Sequence, residues 1–261
     1  MSGDVPQFAD AQFLTVGTGS DARRIAYRRR DGVGPTVVWL GGFRSDMAST
    51  KAETLDRWAA AAGRSFLRFD YSGHGLSDGR FEDATISRWL EESVAVIRAL
   101  AGPAPVLTGS SMGGWLALLA AQSLREEGLG LSGLVLIAPA VDFTEALMWD
   151  RFPDAVKRQI VETGVWLRHS DYSPEPYPIT RALIEDGRRR LMLDGPPIVT
   201  GCPVHILQGM QDPDVPWRHA MRLVEHLPGD DVVTTLIKDG DHRLSRPEDL
   251  ARLVAAIEGI G

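Results

Sequence analysis

Short, nearly continuous apolar runs recur along the chain, VVWL, FLRF, VLTG, LVLIA and VHILQ, and most are followed by a stretch of helical character. A strand without a polar face has to be covered on both sides, so such runs belong in the middle of a mostly parallel sheet with helices packed above and below. Eight strands are expected: Gln12–Val16, Arg24–Arg28, Thr36–Leu40, Ser65–Phe69, Val106–Gly109, Leu134–Ala138, Val204–Gln208 and Thr234–Ile237. The first two alternate polar and apolar residues, as an exposed antiparallel edge does. Helices are expected over Thr50–Ala62, Thr85–Ala101, Met112–Glu126 and Trp217–His226, the first three stopped by Gly63, Gly102 and Gly128. The fold class is therefore α/β, and the 261 residues are expected to form a single domain.

Residues 139–200 interrupt the alternation. Helical pieces at Thr144–Arg151, Asp154–Glu162 and Ile179–Leu191 alternate there with proline-rich links and no strand signal, which reads as a helical lid inserted over the sheet. Its Met148, Trp149, Phe152, Trp166, Tyr172 and Tyr177 are candidates to line an apolar groove. Trp149 and Trp166, with Trp217 from the later helix, are the candidate substrate-binding residues.

Composition narrows the function classes. The net charge of −7 and the short, separated triplets Arg28–Arg30 and Arg188–Arg190 argue against nucleic-acid binding, which needs a broad cationic surface. No apolar run approaches the ~20 residues of a membrane-spanning helix. The lone Cys202 has no partner for an internal disulfide, in keeping with a reducing compartment. The start, MSGDVPQFAD, has no basic n-region or apolar core, so a cytoplasmic location is expected.

The chemistry is carried by Gly109-Ser110-Ser111-Met112-Gly113, a G-x-S-x-G between a strand run and a helix run. A nucleophile on so sharp a turn has close backbone neighbours, so the flanking positions must lack Cβ groups. The turn points the Ser111 hydroxyl out of the sheet and sets the first helix amides beside it. A serine hydroxyl is a weak nucleophile at neutral pH and needs a base, itself oriented by an acid. Of six histidines, His242 follows the last strand, where a sheet of this kind places its site. The loop Gly209–Pro216 offers Asp212 and Asp214 as the acid, and Asp212 is favoured because it lies three residues past the strand-ending glycine. His74, in a turn after a strand, reads as structural, His205 as a packed imidazole, and His219 and His226 as surface groups. The backbone N–H groups of Met112 and Phe43, the latter after Gly41-Gly42, are the candidate oxyanion donors. No metal site or cofactor is expected, because no Cys/His cluster, E-x-x-H spacing or phosphate-loop ending occurs.

The order Ser, Asp, His and the nucleophile turn resemble the α/β-hydrolase superfamily over nearly the whole chain. Within it, Gly41–Met47, Arg68–Gly73, Gly109–Trp115, Asp212–Trp217 and Asp241–Arg243 resemble the mitochondrial palmitoyl-protein thioesterase and mycophenolic acid acyl-glucuronide esterase type. The resemblance implies cleavage of carboxylic esters or thioesters, with Ser111, Asp212 and His242 in the matched catalytic positions and a small-molecule or acylated substrate. Gly41 departs from the pattern, standing where many members carry histidine. Two other readings stand beside this one: a general small-ester carboxylesterase, and a non-catalytic ligand-binding member of the fold.

Overall fold

A computed structural model describes residues 10–170, 173–229 and 231–260. The first nine residues and Tyr172, both used in the sequence-based expectations, lie outside that range. The chain runs β1 (Gln12–Val16), β2 (Arg23–Arg30), β3 (Val33–Leu40), α1 (Thr50–Ala62), β4 (Arg64–Phe69), α2 (Ile86–Leu100), β5 (Val106–Ser110), α3 (Met112–Glu126) and β6 (Gly133–Ile137). After an irregular excursion come α4 (Asp154–Thr163), β7 (Val165–Ser170), β8 (Ser173–Thr180) and α5 (Arg181–Arg188). The regular alternation then resumes with β9 (Val204–Gly209), α6 (Trp217–Glu225), β10 (Val232–Ile237) and α7 (Pro247–Glu258).

Eight strands form one sheet in the order β1-β2-β4-β3-β5-β6-β9-β10. β1 pairs antiparallel with β2, and β2 with β4, while every pairing from β4 to β10 is parallel. This is the expected eight-stranded, mostly parallel sheet with its antiparallel edge. The parallel strands β5 and β6 are buried at every position, as strands covered by helices on both faces are. One core fills the face covered by α2 and α3, around Trp89, Trp115 and Leu118, and a smaller one lies between the opposite face and α1 and α7, around Trp39, Leu55 and Ile257. Thr85 caps α2, its hydroxyl accepting the Arg88 N–H. At β10 the strand is half exposed, which suits the open edge of the sheet.

The segment 139–200 differs from the all-helical expectation. A π-helical turn at Phe143–Met148 and a 3-10 turn at Trp149–Arg151 lead into α4, and β7 and β8 then form a two-stranded antiparallel ribbon. Proline lacks the N–H a ladder needs, so Pro176 and Pro178 hid the strand signal. A ribbon of two edge strands tolerates them. Asp142 ties the start of the segment to its far end, its buried carboxylate accepting the amides of Met192 and Leu193.

Candidate active site

Parallel strands put their carboxyl ends on one edge of the sheet, and the loops after β3, β5, β9 and β10 meet there. The turn from β5 into α3 is tight. A Cβ at Gly109 would lie 2.2 Å from the Gly113 carbonyl oxygen, and one at Gly113 would lie 2.1 Å from that of Leu40, so neither position accepts a side chain. Between them Ser111 is held at φ 56°, ψ −118°, a conformation that L-residues rarely adopt, and its amide bonds the Ile137 carbonyl at 2.8 Å.

Three side chains from three loops form one hydrogen-bonded line. His242 Nε2 lies 3.1 Å from Ser111 Oγ, and His242 Nδ1 lies 2.7 Å from Asp212 Oδ2. An ionised carboxylate only accepts, so Nδ1 carries the proton and Nε2 is left to accept the serine hydroxyl. The Asp212 side chain is fully buried, and its other oxygen, Oδ1, accepts the amides of Asp214 and Val215 at 2.9 and 2.8 Å. Gln208 Nε2 adds a contact to Oδ2 at 3.3 Å. The two loops are also tied through their backbones, Gln211 N–H donating to the Gly240 carbonyl. Asp214, the other candidate acid, gives its amide to this cradle and lines the adjoining cavity.

The line opens into a cavity of about 810 Å³ bounded by Ser111, His242, Phe43 and Met112. Among the described residues, neither the Phe43 nor the Met112 amide is hydrogen-bonded to another group, which leaves both available to an oxygen beside Ser111. One wall is apolar, made by Phe143, Leu147, Met148, Phe152, Trp166 and Tyr177, all from the segment 139–200. Its aromatic residues stack edge-to-face, Phe43 on Phe143 and Tyr177, and Phe152 on Trp166. Trp166, one of the three tryptophans singled out from the sequence, lines this wall. Trp149 and Trp217 do not line the cavity: Trp149 packs against the core under the Arg188 guanidinium, and Trp217 is covered by Arg218.

Residue-type spacing gave no hint of the cavity's charge. Arg44, Lys51, Arg151, Arg168 and Arg243 line it, against one carboxylate, that of Asp214, among the described residues, in a chain whose net charge is −7. Lys51 donates to the Arg243 carbonyl beside His242, and burial lowers its pKa from 10.5 to about 8, opposed by the nearby Asp241 and Asp249.

The remaining histidines are packed or peripheral. His219 is buried and donates to the Val141 carbonyl at 2.7 Å, which corrects its reading as a surface group. His205 bonds Thr235 Oγ1 at 3.0 Å. Asp212, Asp214 and His242 could together present three ligand atoms within 4.8 Å of one another to a cation. The Asp212–His242 hydrogen bond already occupies two of those three groups, so this donor set fits a proton relay better than a metal.

A model of the alpha/beta hydrolase family matches residues 25–253. The human protein named palmitoyl-protein thioesterase ABHD10, mitochondrial, is 34% identical over 241 residues, covering 92% of this chain and 77% of its own length. A putative hydrolase from Agrobacterium vitis S4 superposes with a TM-score of 0.93 at 52% identity, over 97% of this chain and 99% of that one. The mouse alpha/beta hydrolase domain-containing protein 10 superposes with a TM-score of 0.85 at 31% identity, over 97% and 98% of the two chains. The curated relatives carry a mitochondrial label in their names, which runs against the expected cytoplasmic location and describes those proteins. Among the described residues no helix is long and apolar enough to cross a membrane.

Proposed function

This chain belongs to the alpha/beta hydrolase family, and from that premise we propose that it is a serine hydrolase that cleaves carboxylic ester or thioester bonds through an acyl-enzyme on Ser111. The observation that carries the proposal is the hydrogen-bonded line from Ser111 through His242 to Asp212, opening on a cavity of about 810 Å³.

His242 Nε2 takes the Ser111 proton as Oγ attacks the acyl carbonyl, and Asp212 holds the ring and stabilises the imidazolium. The Phe43 and Met112 amides receive the carbonyl oxygen as it becomes an oxyanion. His242 then returns the proton to the departing oxygen or sulfur. A water molecule, deprotonated by the same nitrogen, releases the acid and restores Ser111.

The lining of the cavity supports a reading of both halves of the substrate. The aromatic and aliphatic wall formed by Phe143, Leu147, Phe152 and Trp166 takes an acyl chain. The general acid must face the leaving group, and Lys51 and Arg243 stand beside His242, so an anionic leaving group gains there over a neutral one. Relatives named palmitoyl-protein thioesterase are consistent with long acyl thioesters. The cationic lining favours acyl-glucuronides, whose leaving sugar is a carboxylate, as the second substrate.

Turnover of p-nitrophenyl esters by Ser111→Ala is the direct test, and a fall of several powers of ten is expected. A panel of acyl-CoA, S-acyl peptide, acyl-glucuronide and simple esters at several chain lengths then separates this reading from a small-ester carboxylesterase. The latter would favour acetyl over C8 to C16. Undiminished turnover by Ser111→Ala would end the assignment.

A further inference from the structure

The loop after β3 carries the Phe43 amide, and the loop after β4 grips it from beneath at three places. Tyr71 Oη donates to the Gly41 carbonyl at 3.2 Å, the Arg44 N–H donates to His74 Nε2 at 3.1 Å, and the Met47 N–H donates to Asp70 Oδ1 at 2.6 Å. The middle contact falls one residue past Phe43, on a non-glycine residue held at φ 62°. An arginine in the left-handed region is strained, and it stays there only where its surroundings over-determine it.

We propose that His74 is a positioning residue for acyl transfer: by accepting the Arg44 N–H it locks the strained turn that aims the Phe43 amide at the reacting carbonyl oxygen. The inference rests on the serine-hydrolase reading and extends it to a residue outside the cavity lining.

The tautomer is set by the partners. Nε2 accepts, so it carries no proton, and Nδ1–H donates to the Ser72 carbonyl at 3.2 Å. Protonation would place a donor against the Arg44 N–H and break the lock. The ring is buried and meets Tyr71, Phe81 and Trp89 edge-on, with centroids 5.2–5.6 Å away. That burial lowers the imidazole pKa to about 4, and the charges nearest to it, Arg44 and Asp46, oppose one another. The acceptor is therefore present at neutral pH. Tyr71 and Asp70 hold the two ends of the loop without touching Arg44, so neither replaces it.

The test compares His74→Phe, His74→Gln and His74→Asn with the wild type, using p-nitrophenyl ester kinetics and the affinity of a boronic acid that forms a tetrahedral adduct with the nucleophile. Folded protein is verified by circular dichroism and melting. Loss of a whole oxyanion donor costs about 10²–10³ in kcat, and a misaimed one should cost less. In His74→Phe, kcat should fall about 10- to 100-fold with KM changed less than about two-fold, and boronate affinity should fall by the same factor as kcat. Glutamine can present its amide oxygen to the Arg44 N–H and should recover most of the loss, whereas the shorter asparagine should not. Adding Arg44→Gly to His74→Phe should recover part of kcat, because glycine adopts the positive φ without strain.

Wild-type kcat and boronate affinity in folded His74→Phe would overturn the proposal. Should that variant not fold, equal kcat in the glutamine and asparagine variants would overturn it instead. Ser111→Ala is run in parallel: its activity surviving would sink the acyl-transfer reading itself, while an inactive Ser111→Ala beside a normal His74→Phe would sink only the lock.

Discussion

Ser111, Asp212 and His242 leave the carboxyl ends of β5, β9 and β10, and each is held by backbone or buried partners on the sheet side of the cavity. The opposite wall is built otherwise. Phe143, Leu147 and Met148 lie on a π-helical turn, Phe152 just past a 3-10 turn, and Trp166 and Tyr177, only half buried, on a two-stranded ribbon. Atoms that would exchange protons sit where position is fixed by the sheet, and atoms that would choose the acyl chain sit on the segment between β6 and β9. Such a division lets one scaffold serve several substrates, which is why family membership alone does not settle the acyl group.

Changes on the sheet side should cost rate whatever the substrate. Asp212→Asn keeps the packing but lets His242 take the wrong tautomer, so kcat should fall about 10⁴-fold for short and long esters alike. A loss that depended on acyl length would blur the division. On the cap side, Trp166→Ala removes part of the apolar wall, and kcat/KM for a C8 or C10 ester should fall about tenfold with acetyl ester turnover unchanged. An equal loss for both esters would mean that the wall serves the reaction centre too.

Two pH measurements sharpen the comparison further. Lys51 is charged below its lowered pKa of about 8 and neutral above it. The KM for an ester with an anionic leaving group should therefore rise several-fold, by about 1 kcal/mol of lost attraction, between pH 7 and 9. A neutral ester should show no such rise, and Lys51→Met should abolish it. A flat profile for the anionic ester would remove Lys51 from leaving-group recognition.

The smallest effect is on stability. The pKa of His74 falls from 6.5 to about 4 on folding, so its contribution is fully present above pH 6.5 and is lost as the pH drops toward 4. The urea midpoint should decline over that window more steeply in the wild type than in His74→Phe. Equal slopes would mean that the ring is not buried neutral.

Much of this was readable from residue order, because parallel strands announce themselves by unbroken apolar runs and the nucleophile turn by two glycines with no room for a Cβ. Ser111, Asp212 and His242 could be picked out since each follows a recognisable strand. Contacts across long sequence gaps were not readable. Nothing near His74 in the chain shows that its ring meets the Arg44 amide 30 positions away. Nothing near Lys51 shows that it meets the Arg243 carbonyl. The ribbon of β7 and β8 was hidden by its prolines, and Trp149 and Trp217 could not be told from Trp166, since aromatic character alone does not say which face of a short element meets the cavity.

The central claim is that the Ser111 hydroxyl is made nucleophilic by His242. Fluorophosphonate labelling with mapping of the modified peptide tests it directly. A single adduct on Ser111 is expected in the wild type, formed orders of magnitude more slowly in folded His242→Ala. An unlabelled Ser111, or labelling indifferent to the loss of the imidazole, would contradict it.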